Sequence, residues 1–521
     1  MGNIAIFLTI CFTFIVFIGY KKKNNIKVLY PPINFRVILT FKPLISLFLL
    51  LVLGFLASQQ GHAGDISTID TIKQSSPPER VTVNNIFVVG NEKTRRRIIL
   101  REMDIEEGGV YDWNDFVQLL LADQKKIYNL QLFTTVTLTP LFLEDDQVEL
   151  LVSLKERWYI LPSIIFNLAD RNFSEWWINQ GRDFSRVNYG IKLDHNNVGG
   201  RNEKLRIIGQ LGFTQAIDLN YSIPYFDKNQ VHGLAAKFNY YTNKNIPIRS
   251  VDNKQFFYKN QEEDVLRKTI NAFLTYNFRG SFYNTHFLTL GFHNTRIHED
   301  VLEQNPDYFT HDSQRLKYFQ ATYRYRHDHR DNVAYATQGT LLDLSLTQYG
   351  LFAGDNISET EFSILASKYT PLGGKFYFAT GISGSAFFSS RQPYTLVRGI
   401  GYKPDFIRGY EVNVIEGQQT FVHKNSLRYE LLNVAFDISD FMPLEEFSII
   451  PFQLYLSANF DQGFVRDANR LPENARLTNR YLSGFGLGLD LIGIYDAVFR
   501  FEYSFTNTGP GSFFINVKAP L

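Results

Sequence analysis

Beyond Trp158 this chain alternates, residue by residue, between two chemistries. In GTLLDLSLTQYG, Leu342, Leu344 and Leu346 hold one parity and Asp343, Ser345 and Thr347 the other. AVFRFEYSF sets Phe499, Phe501, Tyr503 and Phe505 against Arg500, Glu502 and Ser504. QLYLSANFDQG sets Leu454, Leu456, Ala458 and Phe460 against Gln453, Ser457, Asn459 and Asp461. Successive side chains of a strand point to opposite faces, so each segment has one apolar and one polar face. The segments recur at hairpin spacing, and no convincing helix interrupts them. The bulk of the chain is therefore read as one large antiparallel sheet.

A soluble sandwich would alternate too, and three features favour a membrane barrel over it. The apolar parity carries rings and leucines with almost no charge. The polar parity carries charges of both signs, which suits a wet lumen. Short turns alternate with long polar connections such as Thr242 to Lys268 and Glu299 to Arg315. Strands cross lipid only when the sheet closes, because an open edge leaves backbone groups unpaired in hydrocarbon. About 360 residues at roughly 22 per strand and connection gives about sixteen strands. Composition agrees: aromatic residues make up 15%, yet charged residues are only 20% and mean hydropathy is −0.16. With 53 basic and 52 acidic residues, the chain lacks the basic excess of a nucleic-acid binder.

The N-terminal part reads differently. Ile4 to Tyr20 is apolar and ends at Lys21, Lys22 and Lys23. A second apolar run, Leu44 to Leu56, follows Arg36 and Lys42 and leads to Ala57, Gly61 and Ala63, the order of a secretory signal. Residues 1–63 are thus expected to be a cleaved leader ending near Ala63, its first 36 residues a misassigned upstream start or an unusual extension, with one or two membrane anchors as the alternative. The single cysteine, Cys11, falls inside it. A mature chain without thiols has no disulfide, thiolate metal site or cysteine catalysis. Residues 64–79 read as a linker. Residues 80–157 then give a strand (VTVNNIFVVGN), a short helix over Thr94 to Met103 and a clearer helix after Asp112. Asp112 is placed to cap that helix, Tyr111 and Phe116 to staple it, and Phe116, Leu119, Leu120, Ile127 and Leu130 to form its apolar face. Two strands follow, so the order β-α-α-β-β describes one small α+β domain with a three-stranded sheet. Residues 158–521 are the barrel.

Several stretches resemble the BamA/TamA superfamily of outer-membrane assembly and secretion barrels, in which periplasmic POTRA domains precede a bacterial surface antigen barrel. Residues 81–157 resemble one POTRA domain, in element order and in the segment GNEKTRRRIILREMDIEEGGVYD. HDHRDNVAYATQGTLLDLSL resembles the family's Asp-x-Arg-Asp hairpin, with Ala336 where proline is usual. FIRGYEV resembles the signature of the sixth extracellular loop, and NFDQGFV the Asp-x-Gly strand motif after it. The resemblance implies that Arg408, with Gly409 and Tyr410, folds back into the lumen and pairs with carboxylates on the twelfth and thirteenth strands. Asp461, beside Gly463, lies on the polar parity, and so does Glu430 in SLRYELLNVAF, which makes these the expected partners. The resemblance further implies a weakly paired seam, and here the closing strand alternates through Phe513, Ile515 and Val517 before Ala519-Pro520-Leu521. It implies a Gram-negative outer-membrane location with the POTRA domain in the periplasm, unfolded barrel or secreted clients, and accessory periplasmic or lipoprotein subunits.

Function is accordingly expected to be outer-membrane protein insertion or translocation, in a one-POTRA form with a dedicated or accessory role. A two-partner-type secretion transporter is the alternative, and a passive pore or an outer-membrane enzyme would represent other classes. No Gly-x-Ser-x-Gly elbow and no His-Glu-x-x-His occurs, so no catalytic residue is assigned and no cofactor is expected. His327 and His329 with Asp328 and Asp331 could ligate a metal, but they read better as a polar strand end entering a turn, and no metal is expected.

Overall fold

The structure is a computed structural model. It describes residues 78–517 apart from short connections at 144–145, 170–175, 178–180, 261, 263–264, 310–312, 390–391, 403–405, 439–441, 443–448, 469–471 and 510. The expected leader, most of the linker, and Ala519-Pro520-Leu521 lie outside the described residues.

The first sheet comprises β1 (Arg80–Val89), β2 (Val110–Asp112), β3 (Phe133–Phe142) and β4 (Gln147–Glu156) in the order β2-β1-β4-β3. Two helices, α1 (Arg96–Leu100) and α2 (Trp113–Asn129), precede β2 and β3 respectively. The extra strand arises because Val110–Asp112 pairs with Arg80–Thr82 instead of serving only as a helix entry. Asp112 still stands at the N-cap of α2, but its carboxylate accepts from Arg80 Nε at 3.1 Å and caps no helix N–H. The staple geometry is present, with the Tyr111 and Phe116 rings 6.2 Å apart. Phe116 and Ile127 of α2 pack on Val81, Val83, Val148, Leu150 and Val152, all fully buried. Each such side chain contributes roughly 1.5–3 kcal/mol of transfer free energy.

The second sheet has sixteen strands, matching the expected count. They are β5 (Ile160–Leu168), β6 (Val187–Val198), β7 (Glu203–Gly212), β8 (Thr214–Ile223), β9 (His232–Asn243), β12 (Arg267–Phe278), β13 (Asn284–Ile297), β14 (Arg315–Asp328), β15 (Gly339–Tyr349), β16 (Glu359–Gly373), β17 (Phe376–Phe387), β18 (Gln419–Asp437), β19 (Ile449–Arg466), β20 (Tyr481–Ile492), β21 (Val498–Thr506) and β22 (Ser512–Val517). All pairs are antiparallel, each strand beside its neighbour in this order. The outward face exposes apolar residues such as Leu274, Leu288, Leu346, Leu456 and Phe460. The inward face buries Thr269, Ser457, Asn459, Asp490, Arg500 and Glu502. Rings outside and charges inside is the arrangement of a barrel in lipid.

Two elements within the connections escape the alternation. The hairpin β10 (Ile246–Val251) and β11 (Lys254–Tyr258) follows β9, and the short helix α3 (Glu299–Gln304) follows β13. Both sit in segments read from sequence only as polar connections. The hairpin turns on Asp252 and Asn253, at φ of 50° and 59°, and paired left-handed residues are the usual two-residue hairpin turn.

The chain enters β5 directly from β4, so the turns after β6, β8, β12, β14 and β20 lie at the end nearer the small domain. That domain touches each of them. Arg279 donates to both Glu102 carboxylate oxygens at 2.9 Å, and Arg157 reaches Asp496 at 3.0 Å. Arg101 Nε donates to the Gln230 carbonyl at 2.7 Å, Arg95 N to the Gly200 carbonyl at 3.0 Å, and Asn129 to the Asp331 carbonyl at 3.2 Å. Because these turns belong to strands from β6 to β21, the small domain lies across that mouth of the barrel.

Candidate functional site

Residues 388–418 join β17 to β18 at the far end and turn back against the inside wall. Reciprocal 2.9 Å backbone bonds between Ile400 and Ile415 hold the two limbs together. At the tip, Tyr410 N donates to the Ile407 carbonyl at 3.0 Å across Arg408 and Gly409. Gly409 has φ +83°, the left-handed value that the third residue of a type II turn requires, which is why glycine stands there. Ile407 and Tyr410 anchor the tip in an apolar cluster with Val422, Val465 and Leu482. The Tyr410 hydroxyl also meets Asn507 at 2.7 Å and Thr508 at 2.8 Å, in the connection between β21 and β22.

Arg408 projects between two carboxylates. Its Nη1 pairs with Asp461 of β19, its Nε donates to Glu502 of β21 at 3.0 Å, and its backbone N–H donates to Asp461 at 3.2 Å. The three side chains are no more than 3% exposed. Glu502 is filled further by Asn459 Nδ2 at 2.8 Å and Ser504 Oγ at 2.6 Å. Lys424, directly opposite Asp461 across the β18–β19 ladder, rests its ammonium 4.9 Å from the Phe406 ring centroid. A buried ionic cluster of this kind gains little over well-packed apolar residues, but removing one member leaves a buried charge uncompensated.

The wall is shaped for this approach. A side-chain Cβ at Gly484 of β20 would lie 1.9 Å from the Arg408 carbonyl oxygen. Gly463 stands opposite Val422, and a Cβ there would meet Ile407 Cδ1 at 2.6 Å.

Glu430, expected as the second carboxylate, does not join Arg408. It pairs with Tyr455 in the ladder, six positions from the Lys424–Asp461 pair and so about 20 Å along the strand. There it accepts from the Tyr455 hydroxyl at 3.1 Å. It belongs to a second polar layer, near the small domain. In that layer Arg500 grips Asp490 at 2.7 and 2.8 Å, and Tyr335 donates to Asp490 at 2.8 Å. Arg428 donates to the Ala336 carbonyl at 2.9 Å and lies over the Tyr335 ring. Tyr335 and Ala336 come from the turn after β14, which therefore reaches inward. In that turn Asp328 is held by Arg330 at 2.7 Å and Asp331 accepts from Thr337 N at 3.0 Å, while His327 meets Asn284 at 2.8 Å.

Nothing in the sequence reading singled out Glu502, Asn459 or the glycines of SGFGLGLD. Alternation put Glu502 and Asn459 on the polar face without saying which loop would reach them, and the glycines recur every second residue on one face, a mark of close backbone approach.

Above the tip, the loops interlock. Glu416 accepts from Ser250 of β10 at 2.6 Å, from Tyr402, and from Asn474 at 3.0 Å. Burial raises the Glu416 carboxyl above the ordinary glutamate range, and these hydrogen bonds only partly offset it. Asn253 donates to the Val414 carbonyl at 3.3 Å and accepts from Leu477 N at 3.0 Å. The connections after β9, β17 and β19 thus close over the far mouth together.

On the closing strand, Phe513 and Ile515 face outward and Phe514 is buried. β22 pairs with β21 from Ser504↔Ser512 to Phe499↔Val517. Among the described residues, no ladder joins β22 to β5.

The model of the Omp85 superfamily domain matches residues 197–421, and the POTRA model, the surface antigen variable number repeat, matches residues 81–157. Among solved structures, CdiB from Escherichia coli is 14% identical, with 84% of this chain and 76% of that chain covered and a TM-score of 0.51. BamA from Haemophilus ducreyi lacking POTRA domains 1–3 is 16% identical, with 84% of each chain covered and a TM-score of 0.47. A comparison with curated proteins found no match.

Proposed function

Because the chain belongs to the Omp85 superfamily, we propose that it is an assembly or translocation factor of the bacterial outer membrane, its POTRA domain receiving unfolded clients in the periplasm and passing them to a barrel with a labile seam. The observation that carries this reading is the seam. β22 spans six residues and has a ladder on one side only among the described residues. An unpaired strand edge in hydrocarbon is costly, and it is also a template for any client strand that can complete it. The small domain offers a second template, since β3 is an edge of its sheet along ten residues. A peptide added there gains main-chain hydrogen bonds, with side-chain pockets adding selectivity.

Within this reading Arg408 is a tether and not a catalyst. The loop it holds supports the wall formed by β19 to β21, next to the seam, so the barrel can open at β22 without losing its shape. Depletion of the protein followed by an outer-membrane proteome tests the proposal. Loss of many barrel proteins supports assembly, loss of one protein supports a dedicated exporter, and an unchanged proteome contradicts both.

A further inference from the structure

On the outward face of β12, β13 and β14, at the end away from the POTRA domain, Lys268, Arg296 and Arg315 stand directly opposite one another across two ladders. Lys268 shares its parity with the exposed Leu274, Arg296 with Leu288 and Leu290, and Arg315 with Tyr323. Lys317 adds a fourth cation two residues along. Like charges directly opposite in a ladder are destabilising. Among the described residues none of the four has a carboxylate partner, and Arg315 Nε instead donates to the Asn294 side chain at 2.8 Å.

Four residues along each strand, on the same face, the chemistry becomes wholly apolar. Ala272, Phe292 and Phe319 lie in register, and with Ala236 and Phe238 they line an outward groove of about 770 Å³. Small residues form its floor and rings its sides. One side is completed by Phe352 of the connection after β15, whose ring meets Phe319 at 5.2 Å. Asp355 fixes that side by accepting from the backbone N–H groups of Leu351, Phe352 and Phe319 at 2.7, 3.0 and 3.2 Å.

We propose that this patch is a binding site for one lipid of the membrane leaflet facing away from the POTRA domain, a multiply phosphorylated glycolipid. An acyl chain fills the groove and the phosphates meet Lys268, Arg296 and Arg315. The dimensions suit such a ligand: the cations span about 10 Å across three strands and stand about 13 Å from the aromatic row. Guanidinium forks bind phosphate oxygens bidentately, and the charge repulsion in the bare row is relieved by an anion. The inference depends on the barrel's membrane orientation and not on client handling.

The test uses full-length protein reconstituted in phosphatidylcholine bilayers doped with bisphosphorylated lipid A, released into detergent and weighed by native mass spectrometry. Wild type is expected to keep one lipid A and no phosphatidylcholine, with retention falling as salt rises. The triple variant Lys268→Gln, Arg296→Gln, Arg315→Gln is expected to lose one to two orders of magnitude in retention, roughly the sum of three surface cation contacts. Ala272→Trp, which fills the groove and leaves the charges, should also lose the lipid, so a folding failure of the triple variant does not remove the test. Retention by both variants at the wild-type level overturns the proposal, as does equal retention of phosphatidylcholine or the appearance of a bound polypeptide in place of lipid. Client assembly by the variants is expected to be unchanged, which separates this failure from failure of the proposed function.

Discussion

Arg408 joins the tip of the inward loop to two strands of the wall through one side chain. Arg408→Ala leaves Asp461 and Glu502 as buried carboxylates without their cation, a change that costs about 3–5 kcal/mol for a buried pair. The loss falls on the loop, because the ladders of the wall are untouched. The expected outcome is a folded, heat-modifiable barrel with altered single-channel conductance, a protease-sensitive 388–418 loop and weakened activity. Asp461→Ala should act in the same direction, and the double variant should be less than additive and no worse than Arg408→Ala, since both remove the Arg408–Asp461 pair while only Arg408→Ala also strips Glu502 of its cation. Unchanged conductance in Arg408→Ala would mean that the tether does not set the lumen. Glu416 adds a dependence on pH. Its carboxyl is raised by burial, so its folded-state value lies above the unfolded one. The stabilisation is then complete below the ordinary glutamate pKa and fades as pH climbs through the raised value. The interlocked loops are expected to exchange amide hydrogens faster toward alkaline pH, after correction for intrinsic exchange, and Glu416→Gln should abolish that trend.

At the scale of elements, the strands were legible because a period of two is imposed by lipid on one side and water on the other, as in Phe499 to Phe505. The second carboxylate partner of Arg408 was not, although the first, Asp461, was. Asp461 and Glu430 both satisfy the parity rule, and parity says nothing about height in the barrel. Height depends on the stagger between strands, which side-chain pattern does not encode. Glu502 became a partner because stagger brings β21 level with the tip of a loop more than ninety residues away in sequence, as the Arg408–Glu502 separation of 94 records. The β10–β11 hairpin carried a readable signal in its Asp252-Asn253 turn, but its strands, six and five residues long, are shorter than the barrel strands on either side and lie within a long polar connection. The glycine face of β20 yields a prediction of its own. Gly484→Val removes no charge, yet its side chain would occupy the site of the Arg408 carbonyl, so it is expected to reproduce the conductance change of Arg408→Ala. A normal conductance in that variant would place the loop elsewhere.

Across the whole molecule, the small domain lies over one mouth, interlocked loops close the other, and the sheet is unpaired along one side among the described residues. On the proposed function, a client entering at the small-domain mouth would have its way out at the edge between β5 and β22. Thiol crosslinking tests this most directly, because Cys11, in the expected leader, is the chain's single cysteine. Ile164→Cys on β5 and Ile515→Cys on β22, both outward-facing on the two edge strands, supply thiols for a reducible thiol-specific crosslinker. The measurement is the rate of client assembly or translocation before bridging, after bridging, and after reduction. Bridging is expected to stop client processing and reduction to restore it, with the Arg408–Asp461 pair intact throughout. A fully bridged barrel that processes clients at the unbridged rate would contradict exit at this edge.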